Sequence, residues 1–106
     1  MKSLFRKIAD TFRRRKAHRQ PQQDDHMEAL FHRGLTYQEG QGVAQDDVQA
    51  AFWWRKAAEQ GHITSQANMG SLYLNGRGVI KDETQAISWW QKAAAQGSAE
   101  AQSNLA

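Results

Sequence analysis

Apolar residues recur with helical spacing in two stretches of this chain, residues 50–58 and 86–94. In each stretch they occupy positions i, i+3, i+4, i+7 and i+8, which lie on one face of an α-helix. The first stripe is Ala50, Trp53, Trp54, Ala57 and Ala58, and the second is Ala86, Trp89, Trp90, Ala93 and Ala94. The pattern predicts two amphipathic helices of the same design, with all four tryptophans in the core.

The two helices belong to a longer internal repeat. Residues 26–61 align with residues 62–97 without a gap, and sixteen of the 36 positions are identical. A partial third copy covers residues 98–106. A period of this length is typical of solenoid proteins, in which each unit buries its apolar face against its neighbours.

Each full unit is predicted to hold two helices joined by a Gly-x-Gly-Val turn. The first helix is expected over about residues 25–38, with Asp25 and Glu28 as a capping box at its start. Gly34 and Gly70 lie inside first helices and predict close approach of another helix, because glycine is otherwise unfavourable there.

The second helix of each unit has start and stop signals of its own. Asp46 and Asp82 are predicted to cap the first-turn amides, while the glutamine three residues later bonds back to the cap. Gly61 and Gly97 follow these helices, where a left-handed residue commonly ends a helix.

These motifs resemble the SEL-1-like repeat (SLR) family, a relative of the tetratricopeptide repeat. The likeness covers about residues 25–106 and is carried by Gly34-Leu-Thr-Tyr37, Gly40-Gln-Gly-Val43, Asp46, Ala50, Trp53-Trp54 and Lys56-Ala-Ala-Glu-Gln-Gly61, with their second copies at residues 70–97. It implies an all-α fold, a right-handed α/α superhelical solenoid whose concave face binds other proteins. Arg33 departs from the family's usual apolar residue, which predicts that the first helix partly faces solvent.

Charge divides the chain into two parts. Residues 1–20 hold eight basic residues and one acid, a net charge of +7, whereas residues 21–106 hold six basic and ten acidic residues, a net charge of −4. The basic residues of the tail are Lys2, Arg6, Lys7, Arg13, Arg14, Arg15, Lys16 and Arg19. We therefore expect a basic tail and linker over residues 1–23 and a repeat domain over residues 24–106.

The tail is predicted to contain a short amphipathic helix, because Leu4, Phe5, Ile8 and Phe12 share one helical face. Such a helix can lie on an anionic membrane surface, or bind nucleic acid phosphates through residues 13–16. It can also cover the open N-terminal end of the repeat stack, the use that we favour. An organelle presequence is a further alternative, although Asp10 is unusual for one.

The binding surface is predicted by analogy with tetratricopeptide registers, which place certain positions around the conserved glycine on the groove. Phe31, Leu35 and Leu74 are expected to be exposed apolar anchors; alternatively, Phe31 and Leu35 cover one another or lie beneath the tail. The predicted partner-binding residues are Glu28, Phe31, Leu35, Gln38 and Glu39 in the first unit, with Thr64, Ser71, Leu74 and Asn75 in the second; Ala67 is also placed on this strip. The composition favours a protein partner, either a helix or an extended peptide.

No constellation for catalysis, metal binding or cofactor binding is found in the sequence. The chain contains no cysteine, and its four histidines lack metal-ligand spacing. The Gly-x-Gly turns have neither the preceding strand nor the lysine that phosphate-binding loops need. We therefore predict a non-enzymatic interaction protein without a cofactor, either an adaptor or an inhibitor of immunity type that binds one bacterial enzyme. The alternative is a peripheral membrane or nucleic-acid module acting through the tail.

Two further expectations concern location and assembly. The absence of cysteine, of a secretory signal and of a long apolar segment favours the cytoplasm, with peripheral membrane attachment as an option. Two units and a fragment make a short stack, so the third unit's first helix is either a terminal cap or contacts another chain through Ala101 and Leu105. We therefore predict stabilisation by a partner or self-association, as a homo-oligomer formed through the open C-terminal end.

Overall fold

Five α-helices make up residues 21–106, the part of the chain that the computed structural model describes. They are α1 (Pro21–Glu39), α2 (Asp47–Glu59), α3 (Ile63–Asn75), α4 (Glu83–Ala95) and α5 (Ala99–Leu105). The helices pack in chain order, each mainly against the next. The predicted all-helical repeat architecture is confirmed, while the predictions for tail residues 2–19 lie outside the described residues.

Helix α1 begins earlier than the sequence predicts. Its first residue is Pro21, which suits the first position of a helix because that position needs no backbone N–H. Asp25 therefore lies inside the helix, and the predicted capping box of Asp25 and Glu28 is wrong. Residues 21–23, predicted as linker, are likewise helical.

The aspartate caps of α2 and α4 are confirmed, but the glutamine half of each predicted box is wrong. Asp46 accepts hydrogen bonds from the amides of Val48 and Gln49, and Asp82 accepts one from the amide of Gln85. The backbone N–H of each aspartate donates instead to a tyrosine carbonyl in the preceding helix, at 2.9 Å in both repeats. This bond leaves the glutamine no role at the cap.

Two glycines in α1 and α3 let a tryptophan lie directly on the helix backbone. The indole of Trp54 lies against Gly34, and the indole of Trp90 lies against Gly70, so closely that a Cβ atom at either glycine would overlap the ring. The predicted close helix crossings at Gly34 and Gly70 are confirmed.

Three of the four tryptophans are buried, so the prediction that all four lie in the core is partly wrong. Trp54, Trp89 and Trp90 are between 2% and 6% exposed, whereas Trp53 is half-buried. Trp89 packs in a cluster with α2 residues that include Ala50 and Ala51. Within residues 21–106 no helix packs in the same way over Trp53, because α2 contacts mainly α1 and α3.

Helix α5 closes the described chain by packing on α4. Ala101 is fully buried in a cluster with Ala86, Trp90 and Ala93. Leu105 remains 37% exposed, and Ile87 on α4 is 46% exposed. Ala101 is therefore used within the chain, which fits the terminal-cap alternative for that residue.

Candidate functional site

A groove of about 340 Å³ runs between α1 and α3. Trp54 and Leu72, both buried core residues, form its base. One wall comes from α1, the other from α3, and one lining residue comes from the turn after α3. The remaining lining residues are Phe31, Leu35 and Gln38 from α1, Thr64, Asn68, Ser71 and Asn75 from α3, and Arg77 from the turn.

The α3 wall is a polar stripe. Its four residues are spaced by four, three and four positions, which puts them on one face of the helix. All four end in a hydroxyl or an amide, so each can both donate and accept hydrogen bonds. The hydroxyl of Ser71 donates to the carbonyl of Ala67 at 3.4 Å. Within residues 21–106 the side-chain amides of Asn68 and Asn75 make no hydrogen bond, which leaves them available to a bound molecule.

The α1 wall is apolar and partly used by the fold. Phe31 and Leu35 are half-buried and pack against the core cluster that contains Trp54. The ring of Phe31 stacks on the indole of Trp54 with a centroid separation of 6.4 Å. The prediction that both side chains are exposed anchors is therefore corrected, because the close helix crossing at Gly34 brings Trp54 beneath them. Each still presents its outer side to the groove.

Three of the nine predicted partner-binding residues lie outside this groove. Glu28 bonds to His62, at 2.9 Å from its Nε2 atom. Glu39 is exposed at the end of α1 and accepts a hydrogen bond from Gln41. Leu74 precedes Asn75 by one residue and is therefore turned by about 100° around α3. Phe31, Leu35, Gln38, Thr64, Ser71 and Asn75 are brought together.

Ala67 does not line the groove, contrary to the prediction. It is 1% exposed and its carbonyl accepts the indole N–H of Trp90 at 3.1 Å. In the register of the repeat it corresponds to Phe31, whose carbonyl accepts the same bond from Trp54 at 3.0 Å. The crossing is the same in both repeats, but the side chain differs: the ring of Phe31 extends into the groove, whereas the methyl group of Ala67 stays buried at the crossing.

Two residues that line the groove are not among those predicted from the sequence. Asn68 lies four residues after Thr64 and three before Ser71, so helical spacing alone could have identified it. Arg77 belongs to the Gly-x-Gly turn and carries no periodic signal. Its guanidinium reaches the carboxylate of Asp47 at 3.3 and 3.4 Å, and this places a positive charge at one end of the groove.

The structure also brings together a serine, a histidine and a glutamate. Nδ1 of His62 lies 2.7 Å from Oγ of Ser65, and its Nε2 lies 2.9 Å from Glu28. Ser65 is fully buried, so its hydroxyl cannot meet a substrate. His62 instead caps α3 by accepting from the amide of Ser65, as Ser98 caps α5 in the same repeat position. The three residues therefore act as a helix cap that is tied to α1.

Residues 21–106 form neither a membrane-spanning helix nor a cluster of metal ligands. No helix in residues 21–106 is long and apolar enough to cross a membrane. In the same range, no three side chains among histidine, cysteine, aspartate and glutamate are arranged to hold a metal ion.

The paired helices, their tryptophan-glycine crossings and the groove between first helices define an α/α repeat solenoid. The chain belongs to the Sel1 repeat family, whose model matches residues 28–62 and 63–98. This family generally provides non-enzymatic scaffolds for protein-protein interaction. A comparison with curated proteins gave no match.

Solved structures of Sel1 repeat proteins have the same fold. The chain is similar to c5321, a protective antigen present in uropathogenic Escherichia coli strains, with 38% identity and a TM-score of 0.71 over 74% of this chain and 17% of that one. It is similar to a Sel1 repeat protein from Oxalobacter formigenes, with 39% identity and a TM-score of 0.72 over 74% and 23% of the two chains. Helicobacter pylori cysteine rich protein B is 29% identical, with a TM-score of 0.69 over 71% and 56%. The chain therefore spans less than two thirds of each relative.

Proposed function

We propose that the protein binds a protein partner in the groove between α1 and α3. The observation that carries this proposal is the contrast between the two walls, one apolar through Phe31 and Leu35 and the other a polar stripe. A peptide segment with apolar side chains on one edge can bury them against α1. Its polar groups can then bond to the amides of Asn68 and Asn75.

The ends of the groove carry opposite charges. Arg77 lies at the end formed by the turn after α3. Glu28 lies beyond Phe31 on α1 and contacts both His62 and, at 3.7 Å, His32. An acidic group of a partner segment would share Arg77 with Asp47, and a basic group would share Glu28 with the histidines, so complementary charges can still orient a bound segment.

Two roles are consistent with a groove of this kind. As an adaptor, the protein would hold a partner for another process. As an inhibitor of immunity type, it would cover a functional segment of one dedicated bacterial enzyme. Both roles use the same residues and need no catalytic group, so one set of groove variants tests them together.

The experiment compares captured proteins between a groove variant and a matched control. Asn68→Arg with Ser71→Arg places two long charged side chains across the polar wall and spares the core residues Phe31 and Leu35. The control, Thr84→Arg with Gln91→Arg, adds the same charge at exposed positions of α4 outside the groove. Quantitative mass spectrometry then measures which proteins each immobilised variant retains.

We expect one or a few proteins to be retained by the original chain and the control but lost from the groove variant. Circular dichroism and thermal unfolding must show that both variants are folded. If folded groove and control variants retain the same proteins at the same levels, binding in this groove is excluded. If a captured protein is an enzyme, inhibition of its activity by the original chain would indicate an inhibitor, and unchanged activity would indicate an adaptor.

The basic tail supports a second candidate function, binding to an anionic membrane or to nucleic acid. The support is its charge, with eight basic residues in residues 1–20. Co-sedimentation with anionic vesicles and with oligonucleotides tests it, with residues 13–16 changed to glutamine as the variant. Binding that depends on these four residues and weakens with salt is expected for this function. Binding that is unchanged in the variant and insensitive to salt would exclude this function.

A further inference from the structure

The side of the stack next to Trp53 is an open hollow of about 550 Å³. Its lining residues from α1 include Ala29, Leu30 and Arg33, and those from α2 include Trp53 and Lys56. The guanidinium of Arg33 lies over the indole of Trp53 at 4.7 Å and closes one edge. The hollow therefore has an apolar base and a partly charged rim.

The second repeat shows how the same face looks when a helix covers it. Ser65, Met69 and Trp89 occupy the positions that correspond to Ala29, Arg33 and Trp53. Ser65 and Met69 are fully buried and Trp89 is 6% exposed, because α2 packs against this side of the second repeat. Ala29 and Arg33 are exposed in the first repeat. The hollow is thus the position at which a preceding element would pack.

The residue in the middle of this face indicates what kind of element fits. In the second repeat the residue is Gln66, which is buried and donates to the carbonyl of Ala58 at the end of α2. It also accepts from the side chain of Gln96. The first repeat has Leu30 at this position, which cannot form such bonds. The first repeat is therefore suited to an apolar cover rather than to the polar end of another repeat helix.

We propose that residues 4–12 of the same chain pack into the hollow beside Trp53. The occupant's apolar side chains are Leu4, Phe5, Ile8 and Phe12, which share one face if the segment is helical. As a helix the segment is about 13 Å long, and the part of α1 from His26 to Arg33 is about 12 Å long. Residues 13–20 can span up to about 26 Å, enough for the segment to return alongside α1.

The charges of the two parts favour this contact. Residues 1–20 carry a net charge of +7 and the remainder of the chain carries −4. Glu59 on α2 lines the hollow, and Asp25 on α1 lies one helical turn before the lining residue Ala29; both carboxylates are exposed. The two basic side chains at the rim, Arg33 and Lys56, lie over aromatic rings. Basic groups on the outer face of the segment can therefore meet carboxylates.

A spin label on the tail tests where the segment lies. The chain contains no cysteine, so Lys7→Cys in the full chain gives one attachment site on the polar side of the segment. We expect paramagnetic broadening of the amide signals of Ala29, Arg33 and Lys56, whereas Ala94 on α4 keeps its intensity. Broadening should not change with protein concentration.

Three results would overturn the proposal. One is the absence of selective broadening, and another is broadening centred on groove residues such as Leu35 and Ser71, which would place the tail in the groove. The third concerns a mixture of an isotope-labelled chain without a spin label and a spin-labelled chain without isotope labels. Broadening of the isotope-labelled signals in this mixture would show that the occupant is a second copy.

A pair of variants adds a readout that does not depend on the label. Phe5→Asp with Phe12→Asp removes the aromatic side chains, and Lys2→Gln with Arg6→Gln makes the same total change in charge. We expect amide hydrogen exchange around Leu30 to become about tenfold faster in the first variant and to change by less than about threefold in the second, because exposed charge pairs contribute little compared with buried aromatic side chains. Equal exchange in both variants and in the original chain would contradict the proposal.

Discussion

The indole of Trp54 lies across Gly34 and donates its N–H to the carbonyl oxygen of Phe31 at 3.0 Å. Trp90 repeats the arrangement over Gly70, with Ala67 as acceptor at 3.1 Å. This crossing joins the two helices of each repeat by packing and by a hydrogen bond. In the first repeat it also fixes the groove, because Phe31 forms one wall and Trp54 the base.

Gly70→Ala should therefore destabilise the protein although alanine favours helices. The added methyl group would overlap the Trp90 indole, and overpacking of this kind costs about 1–3 kcal/mol. The gain in helix propensity offsets at most about 1 kcal/mol of it. Urea unfolding followed by circular dichroism measures the change. Ser71→Ala, the next residue along α3, serves as control and should change stability by less than about 0.5 kcal/mol.

Replacing Trp54 should have a larger effect than replacing Trp53. Trp54→Phe removes a buried hydrogen bond and leaves a gap beside Gly34, with an expected cost of about 1–3 kcal/mol. The Nε1 atom of Trp53 is buried without a partner among the described residues, so Trp53→Phe removes no such bond. We expect the difference to appear as a lower unfolding temperature for Trp54→Phe. Equal losses would show that the hydrogen bond contributes nothing.

The repeat architecture could be predicted from the sequence because its signals are local and occur twice. The stripe of Ala50, Trp53 and Trp54 gives the helix period, and Asp46 gives the start of α2. The exposure of Trp53 could not be predicted in this way. It depends on what packs beside the first repeat, and periodicity contains no information about neighbouring elements.

The groove residues could be predicted only in part, because some of them depend on which side chain occupies a helix crossing or on the path of a turn. The tetratricopeptide register around Gly70 predicts Thr64 and Ser71, and Asn75 completes the predicted strip; the structure places all three on the groove. Ala67 does not line the groove although Phe31, at the same register position, does, because the alanine side chain is too short to extend beyond the helix crossing. Arg77 reaches the groove from a turn, and its position depends on the bond to Asp47.

Asp82 offers a test of the cap at the start of α4. Its carboxylate accepts from the amide of Gln85 at 3.1 Å. Asp82→Ala should lower the free energy of unfolding by about 1 kcal/mol, and Asp82→Asn should recover most of it, because an asparagine oxygen accepts the same bond. Glu83→Gln controls for the loss of a negative charge in the first turn. If Asp82→Asn loses as much stability as Asp82→Ala, the contribution of Asp82 comes from its charge rather than from the capping hydrogen bond.

The cap formed by His62 can be separated from its contact with Glu28. His62→Ser keeps a side chain able to cap α3, as Ser98 does for α5, but loses the contact with Glu28. His62→Ala loses both and should cost about 1 kcal/mol more than the serine variant. Chemical unfolding of the two His62 variants and of Glu28→Gln measures the free energy from the cap and from the contact with Glu28 separately. If serine and alanine are equivalent, His62 does not act as a cap.

Gln66 joins the two repeats through side-chain hydrogen bonds that a leucine cannot replace. It is 5% exposed, donates to the carbonyl of Ala58 at 3.1 Å and accepts from Gln96 at 2.9 Å. Because Gln96 also donates to Gly61, Gln66→Leu leaves its partners partly satisfied and should cost about 1 kcal/mol. Gln102, the same position of the third repeat, donates the equivalent bond to the carbonyl of Ala94 at 3.3 Å but is exposed to water, so Gln102→Leu should change stability by less than about 0.5 kcal/mol. Chemical unfolding measures the change in the free energy of unfolding for both variants. If the two substitutions have equal effects, the bonds of Gln66 do not hold the repeats together, and Leu30 then gives no information about the cover of the first repeat.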